Sequence, residues 1–321
     1  MGSWGTTLAI HLARTGSPVL LWGRDPEQRK RIAADRENRK YLPGHRFPGS
    51  LRVASQALPE NPERDPVILA IPSHGVRGTL RQLPGARSRV WILASKGIEE
   101  STGLRMSEVF AQECGVDAGP LAILTGPSLA REVAEGKPAA VLIASREPDA
   151  ARDAQELLSS ERFRVYTSDD VIGVEIAGAL KNVIALAAGI ADGLELGQNA
   201  RGALLTRGLA EMRRLGEALG ARPETFLGLS GMGDLVTTCT SPLSRNHTLG
   251  ELLGRGVALE QALARSVMVA EGVRTTRAAL DLAARVGVEM PIATQVARIL
   301  FEGVDARVAL RELMTRPLRQ E

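Results

Sequence analysis

MGSWGTTLAIHLARTGSPVLLWGRDPEQ, residues 1–28, reads as a helix, a strand and a second helix start in quick succession. Residues 4–15 carry an amphipathic helical pattern that Gly16 stops, at a position where the backbone commonly turns left-handed. Pro18-Val19-Leu20-Leu21-Trp22 is a short buried-strand pattern. Asp25-Pro26-Glu27-Gln28 then supplies an N-cap acid, a proline at the first helical position and a glutamine at the third, a helix-start signature. Working outward, apolar runs recur at 67–71, 90–94, 121–124 and 140–144, with helical stretches at 74–83, 104–114, 128–135 and 149–159 between most of them. Apolar strands alternating with helices predict an α/β fold with a mostly parallel sheet covered on both faces. After residue 168 the strands stop, and helical periodicity runs over 171–191, 201–219, 248–254, 259–264, 273–286, 293–302 and 306–314. The chain therefore divides into an α/β domain over 1–168 and an all-helical domain over 169–321. The Pro/Arg-rich stretch 59–66 reads as a loop between strands.

Composition removes several function classes. The 321 residues carry 44% hydrophobic and 24% charged side chains, ordinary for a globular chain with sizeable cores. A net charge of +3 with 3% aromatics gives neither the basic footprint nor the stacking surface that nucleic acid demands. The two cysteines, Cys114 and Cys239, and four scattered histidines lack metal-ligand or disulfide spacing, so no metal is expected. No uncharged apolar run of ~18 residues exists, and the start lacks a signal-peptide pattern, so a soluble cytoplasmic protein without membrane association is predicted.

One residue breaks the apolar pattern. Lys181 sits inside Val174-Glu175-Ile176-Ala177-Gly178-Ala179-Leu180-Lys181-Asn182-Val183-Ile184-Ala185-Leu186, and only five lysines stand among the 40 cationic side chains. Burying an ammonium costs several kcal/mol unless it is paired or deprotonated, and such lysines serve in proton transfer. At the other end of the chain, Gly2-Ser3-Trp4-Gly5 opening a helix is the second half of a G-x-G-x-x-G dinucleotide fingerprint. Arg24 stands at the end of the next strand. That is where such folds place an acid for a ribose hydroxyl or a base for a 2′-phosphate, so Arg24 favours NADP over NAD, with a plain surface arginine as the alternative. Pro72-Ser73-His74, Ser95-Lys96-Gly97 and Gly126-Pro127-Ser128 lie at strand ends, where open α/β sheets bind ligands. Gly231-Met232-Gly233-Asp234-Leu235 brings an acid to a close-approaching backbone, unless Asp234 is only a helix cap. The loop 240–246 ends in Ser244-Arg245-Asn246, whose hydroxyl, guanidinium and amide donors suit a phosphate; a surface turn is the alternative. Arg207 and Glu211 stand at the spacing of an ion pair across one helical turn.

Together these motifs resemble the bacterial-type NAD(P)-dependent glycerol-3-phosphate dehydrogenases. The resemblance rests on Gly-Ser-Trp-Gly at 2–5, Ser-Lys-Gly at 95–97, Gly-Pro-Ser at 126–128 and Gly-Ala-Leu-Lys-Asn-Val at 178–183. It continues with Thr-Arg-Gly-Leu-Ala-Glu at 206–211, Gly-Asp-Leu at 233–235, Ser-Arg-Asn at 244–246 and Val-Ala-Glu-Gly at 269–272. It implies a Rossmann-type doubly wound parallel sheet followed by an all-helical substrate domain, a cleft between them, and interconversion of dihydroxyacetone phosphate and sn-glycerol 3-phosphate with NADP or NAD. By resemblance Lys181 is the general acid/base, and Lys96 contacts both substrate and cofactor. Gly126, Ser128, Asp234, Ser244, Arg245 and Asn246 line the substrate site. Ser3, Trp4, Arg24, Ala130, Arg245, Val269 and Glu271 surround the cofactor. A homodimer is the family-level expectation.

One departure stands out. Family members begin with a strand and a complete fingerprint, and this sequence shows neither the strand nor the first glycine. Because that strand belongs at the sheet centre, two neighbouring strand edges are expected to be open. An upstream start codon is the expected cause. The rival readings are a form defective in cofactor binding, or a related two-domain reductase of another small acidic substrate.

Overall fold

The computed structural model of the protein describes residues 1–55, 65–83, 85–265, 270–318 and 320. Most of the expected 59–66 loop lies outside these residues. The chain forms two compact units: Met1–Lys96 with Met106–Val171, and Gly97–Arg105 with Ile172–Glu321.

The first unit runs α1 (Ser3–Arg14), β1 (Val19–Leu21), α2 (Pro26–Asp35), β2 (Leu51–Val53), β3 (Val67–Leu69), α3 (Ser73–Leu80), β4 (Trp91–Leu93), α4 (Met106–Cys114), β5 (Leu121–Thr125), α5 (Ala130–Ala134), β6 (Ala139–Ala144), α6 (Pro148–Leu158) and β7 (Phe163–Ser168). Asp25 caps α2, accepting from the Glu27 and Gln28 N–H groups at 2.9 and 3.2 Å. Gln28 does not close a capping box. Its amide clamps Met1 instead, accepting from the terminal amine at 2.6 Å and donating to the Met1 carbonyl at 2.9 Å.

The strands form two sheets rather than one. β1 and β2 pair in parallel, and β3-β4-β5-β6-β7 form the larger sheet, parallel throughout except where β6 runs against β5. β1 and β3 each end a sheet with no ladder partner on the outer side among the described residues, so the two expected open edges are present. Helix α1 spans the break by burying two faces. Leu8 and Leu12 join a cluster with Ile92, Leu124 and Ile143 of the larger sheet, while Ile10 and Ala13 join Leu21 and Leu51 of the smaller. β2 and β7 were not expected. β2 is three residues in a Gly/Pro-punctuated stretch, and β7 alternates buried Phe163 and Val165 with exposed Arg164 and Tyr166, too few inward apolar residues to read as a buried strand.

The second unit is helical: α7 (Val171–Gly193), α8 (Gly197–Ala218), α9 (Pro223–Leu227), α10 (Asp234–Thr240), α11 (Arg245–Gly254), α12 (Leu259–Ala264), α13 (Glu271–Arg285), α14 (Pro291–Phe301) and α15 (Ala306–Met314), with a π-turn at Leu229–Gly233. α7 is the axis of the core. Ile176, Ala179, Leu180, Val183, Ile184 and Leu186 are all fully buried on one side of it, and Val174, Ala177, Ala185 and Ala188 are as fully buried on the other. By length and composition it matches a membrane span, but 94% of its most apolar window is buried within the protein.

α7 and α11 cross at backbone contact. A methyl carbon added at Gly189 would sit 2.0 Å from the His247 carbonyl oxygen, and one at Gly250 would sit 2.1 Å from that of Leu186. Gly193 and Gly254, one turn along each helix, are equally tight at 2.3 Å from the carbonyls of Glu251 and Ile190. Only hydrogen fits at these four positions, which sets the spacing between the two helices.

Glu211 on α8 does not spend its carboxylate on a neighbour one turn away. It accepts from the N–H groups of Ile292 and Ala293 at 2.7 and 3.3 Å, satisfying donors that Pro291 leaves open at the start of α14. Burial pushes this carboxyl up to about 7, against the pull of those N–H groups and of Arg214 and Arg316. A folded value above the ordinary 4.5 means that the folded state binds the proton more tightly than the unfolded chain. Glu211 therefore favours the fold fully below about 4.5 and loses that contribution as pH rises through about 7. Glu211→Gln keeps an acceptor without the charge. Its melting temperature relative to the parent is expected to rise from pH 4.5 to 8, and a difference that does not move with pH would remove Glu211 as the titrating group.

Candidate active site

In the second unit the expected lysine meets its counter-charge. Lys181 Nζ donates to Asp234 Oδ1 in a short ion pair and to Thr238 Oγ1 at 2.9 Å; Thr238 in turn lies 3.3 Å from Asp234 Oδ1. Lys181 is 6% exposed and Asp234 2%. Asp234 is therefore no simple cap. It is the first residue of α10, and the N-cap position is taken by Gly233. The preceding π-turn aims it: an added methyl carbon at Gly231 would sit 2.1 Å from the Phe226 carbonyl oxygen, so glycine lets the turn fold onto α9. The neighbouring Cys239 thiol is pushed up to about 12 by burial and stays protonated beside the pair.

α11 carries the Ser244-Arg245-Asn246 motif at its start. Ser244 is the N-cap, its Oγ accepting from the His247 N–H at 3.3 Å, and its hydroxyl hydrogen remains available to donate. Arg245 is exposed. Asn246 is 7% exposed and is already engaged: Nδ2 donates to Asn182 Oδ1 at 2.9 Å, and Oδ1 accepts from the Gly272 N–H at 3.0 Å. This joint ties the residue after Lys181 to the start of α13, where Glu271 stands. Below it, His247 Nε2 lies 2.7 Å from Asp192 Oδ2, and Arg201 grips the same carboxylate at 2.6 and 3.1 Å, pinning α7, α8 and α11 together. Burial pushes the Asp192 carboxyl up, but the hydrogen bonds from Arg201 and His247 outweigh it and hold it below the usual range.

In the first unit the expected cofactor residues gather at the N-terminal end of α1 and the loops after the strands. Ser3 and Trp4 form the first turn of α1, whose N-cap Gly2 supplies no side-chain cap and whose first turn holds no acid. An anion is what such a helix end lacks. Gly5 lets α1 approach β3, since its methyl carbon would lie 3.3 Å from Ala70 Cβ. Arg24 is exposed after β1, and its neighbour Asp25 is spent on the α2 cap. Gly126 follows β5 with φ +122°, and a methyl carbon there would meet Val141 Cα at 2.9 Å. Ser128 Oγ donates back to the Gly126 carbonyl at 3.0 Å, and Thr7 on α1 donates to the Ala130 carbonyl at 3.0 Å. Lys96 is half-buried at the end of this unit. Val269 lies outside the described residues. These first-unit groups offer backbone N–H donors at the α1 end and an exposed cation at Arg24, chemistry that fits an anionic dinucleotide.

Two members of the second-unit site escaped the sequence reading. Thr238 was missed because α10 was not expected as a helix, although the Asp234/Thr238 spacing puts both on one face of any helix there. Asn182 was hidden inside the apolar run of α7.

Comparison with known proteins gives one answer over the whole chain. A family model described as the NAD-dependent glycerol-3-phosphate dehydrogenase N-terminus matches residues 1–151, and one for the C-terminus of the same enzymes matches 170–311. The glycerol-3-phosphate dehydrogenase [NAD(P)+] of Thioalkalivibrio sulfidiphilus is 49% identical over 100% of this chain and 96% of its own, and that of Geobacter metallireducens is 50% identical with the same coverage. The crystal structure of a glycerol-3-phosphate dehydrogenase from Coxiella burnetii superposes with a TM-score of 0.93 at 40% identity, covering 98% of this chain and 97% of that one.

The buried ion pair makes a stability prediction. Asp234→Asn leaves the Lys181 charge without its counter-ion and is expected to cost about 3–5 kcal/mol of unfolding free energy. Lys181→Met with Asp234→Leu removes both charges and is expected to recover most of that loss. Urea unfolding of the parent and both variants checks this; a double variant as unstable as the single one would show that lost packing, rather than a stranded charge, is responsible.

Proposed function

Because the chain belongs to the NAD(P)-dependent glycerol-3-phosphate dehydrogenase family, we propose that Lys181 is the proton-transferring group of its reaction, and that Asp234 and Thr238 aim it. The enzyme reduces dihydroxyacetone phosphate to sn-glycerol 3-phosphate with NADPH or NADH, reversibly, supplying glycerol phosphate for phospholipid synthesis. The observation that carries the assignment is the buried Lys181–Asp234–Thr238 cluster.

The nicotinamide nucleotide, when bound, supplies the hydride. The protein handles the charge that develops on the substrate carbonyl oxygen. Lys181 stabilises that oxyanion and gives it a proton, while Asp234 and Thr238 fix the direction of Nζ so that little reorganisation accompanies the transfer. In the oxidative direction Lys181 takes the hydroxyl proton. Lys96 adds a second positive charge. Arg245 holds the phosphate through charge-assisted hydrogen bonds. Ser244 contributes its hydroxyl hydrogen, and Asn246 the second amide hydrogen not given to Asn182. Gly126 and Ser128 line the substrate. Ser3, Trp4, Ala130, Val269 and Glu271 surround the cofactor, and Arg24 gives the preference for NADPH over NADH. The same reading makes the protein a cytoplasmic homodimer that uses neither metal nor membrane.

Lys181→Met is expected to lower kcat by roughly 100-fold or more, read as loss of NADPH absorbance with dihydroxyacetone phosphate; near-normal kcat would remove Lys181 from proton transfer. Arg245→Ala is expected to raise KM for dihydroxyacetone phosphate, a loss on the order of 1.5–3 kcal/mol for a charge-assisted contact, and an unchanged KM would move the phosphate elsewhere. A folded parent chain that turns over neither NADPH nor NADH with this substrate would overturn the reading.

A further inference from the structure

Positive charge is gathered in one part of the first unit. Residues 24–52 hold nine cationic side chains against four acids, a net +5 in a chain whose total is +3, so the rest of the sequence is net −2. This stretch runs from the end of β1 through α2 to β2 and folds as one lobe: Ile32, Leu42, Phe47 and Leu51 pack into the cluster that holds Ile10 and Leu21. Arg36 closes the lobe by donating to the Pro48 carbonyl at 2.8 Å, and Arg29 donates to the Gly23 carbonyl at 2.6 Å. Both guanidiniums bond to neutral backbone oxygens, so the bonds that hold them leave their charge uncancelled. The ion pairs of the stretch, Lys30–Glu27 and Arg39–Asp35, engage other side chains. Arg31, Lys40, Arg46 and Arg52 are exposed, with no carboxylate at ion-pair distance among the described residues. The lobe abuts the open start of α1. A methyl carbon at Gly23 would lie 3.0 Å from the Met1 amine nitrogen, and Arg24 is the next residue.

We propose, resting on the dinucleotide reading of that end, that the lobe is an electrostatic funnel: it draws NADPH to the start of α1 faster than NADH, and acts on association rather than on the bound state. A 2′-phosphate adds about −1.5 to −2 of charge near neutral pH, so the lobe pulls harder on NADPH than on NADH. Charges of one sign gathered on one surface raise the on-rate of an oppositely charged ligand, and salt removes the gain. Solvated charges at the rim of a site change association and its salt dependence, whereas a buried contact changes dissociation. Arg31, Lys40, Arg46 and Arg52 are solvated charges of the first kind, and Arg24 stands where the lobe meets the helix end.

The test is stopped-flow binding of NADPH and of NADH to the full chain over a range of salt, followed by quenching of tryptophan fluorescence, since Trp4 stands in the first turn of α1. Arg31→Gln, Lys40→Gln, Arg46→Gln and Arg52→Gln together are expected to lower the NADPH association rate about tenfold at low salt, within the range that steering supplies, and to leave the dissociation rate unchanged. The fall is expected to be smaller for NADH. Parent and variant are expected to converge at ~1 M salt, where the Debye length is about 3 Å. Arg31→Lys, Arg46→Lys and Arg52→Lys together keep the charge and are expected to bind as fast as the parent. If the glutamine set does not fold, Arg31→Gln and Arg52→Gln singly serve the same comparison, each with a loss of about twofold as its share of the steering. A parent association rate that does not move with salt, an equal fall for NADH, a loss that lies in dissociation, or slow binding by the lysine set each overturns the proposal and leaves the dinucleotide reading standing. A folded parent that binds neither nucleotide overturns that reading, and the proposal with it.

Discussion

An ammonium buried among aliphatic side chains has to be met by a carboxylate, and the helical unit is arranged around meeting Lys181. Its partner does not come from α7 itself, whose carboxylates Glu175 and Asp192 are met by Arg105 and Arg201. Asp234 is brought to it at the start of α10 by a π-turn that Gly231 allows, and Thr238 follows one helical turn later. The desolvation that makes the pair costly also keeps water from screening it, so its field acts on whatever lies beside Nζ. The same helix receives the Arg105–Glu175 pair and the Asn182–Asn246 joint. α7 is thus the common frame for Lys181, for the turn that starts α11 and for Arg105.

The sequence made some of this legible because the signals were local. The alternation of apolar strands with helices, the arrest of strands after residue 168 and the single lysine in an apolar helix are patterns within a few turns of chain, and each corresponds to an element or a burial found in the structure. What stayed hidden depends on contacts between distant segments. Glu211 satisfies its spacing rule with Arg207 on paper, yet its carboxylate is claimed by the bare N-terminus of α14, 81 residues away. Gln28 fits a capping box but binds Met1. β7 fails the apolar test because only every second residue reaches the core. Thr238 could not be placed until α10 existed.

The dinucleotide-binding unit shows how one helix substitutes for sheet continuity. With β1–β2 and β3–β7 hydrogen-bonded separately, the cohesion across the break comes from the side chains of α1, buried on both faces. α1 is also the helix whose uncapped start offers N–H groups to an anion. Sheet cohesion and a set of open N–H donors therefore converge on one twelve-residue segment. A ligand held at its end would brace the unit as well as occupy it, because binding to the folded form alone always favours that form.

The glycine crossing of α7 and α11 bears on how this site can diversify. Four positions that admit only hydrogen fix the distance between the helix of Lys181 and the helix that starts at Arg245. Mutational drift cannot widen or narrow that gap by small steps, since the smallest step, one methyl group, already collides with a carbonyl. A lineage that changes this end of the unit would have to keep the scaffold spacing and vary the exposed turn ahead of α11. In that sense the two helices act as a ruler, and the chain keeps their separation for the same reason that it keeps its core.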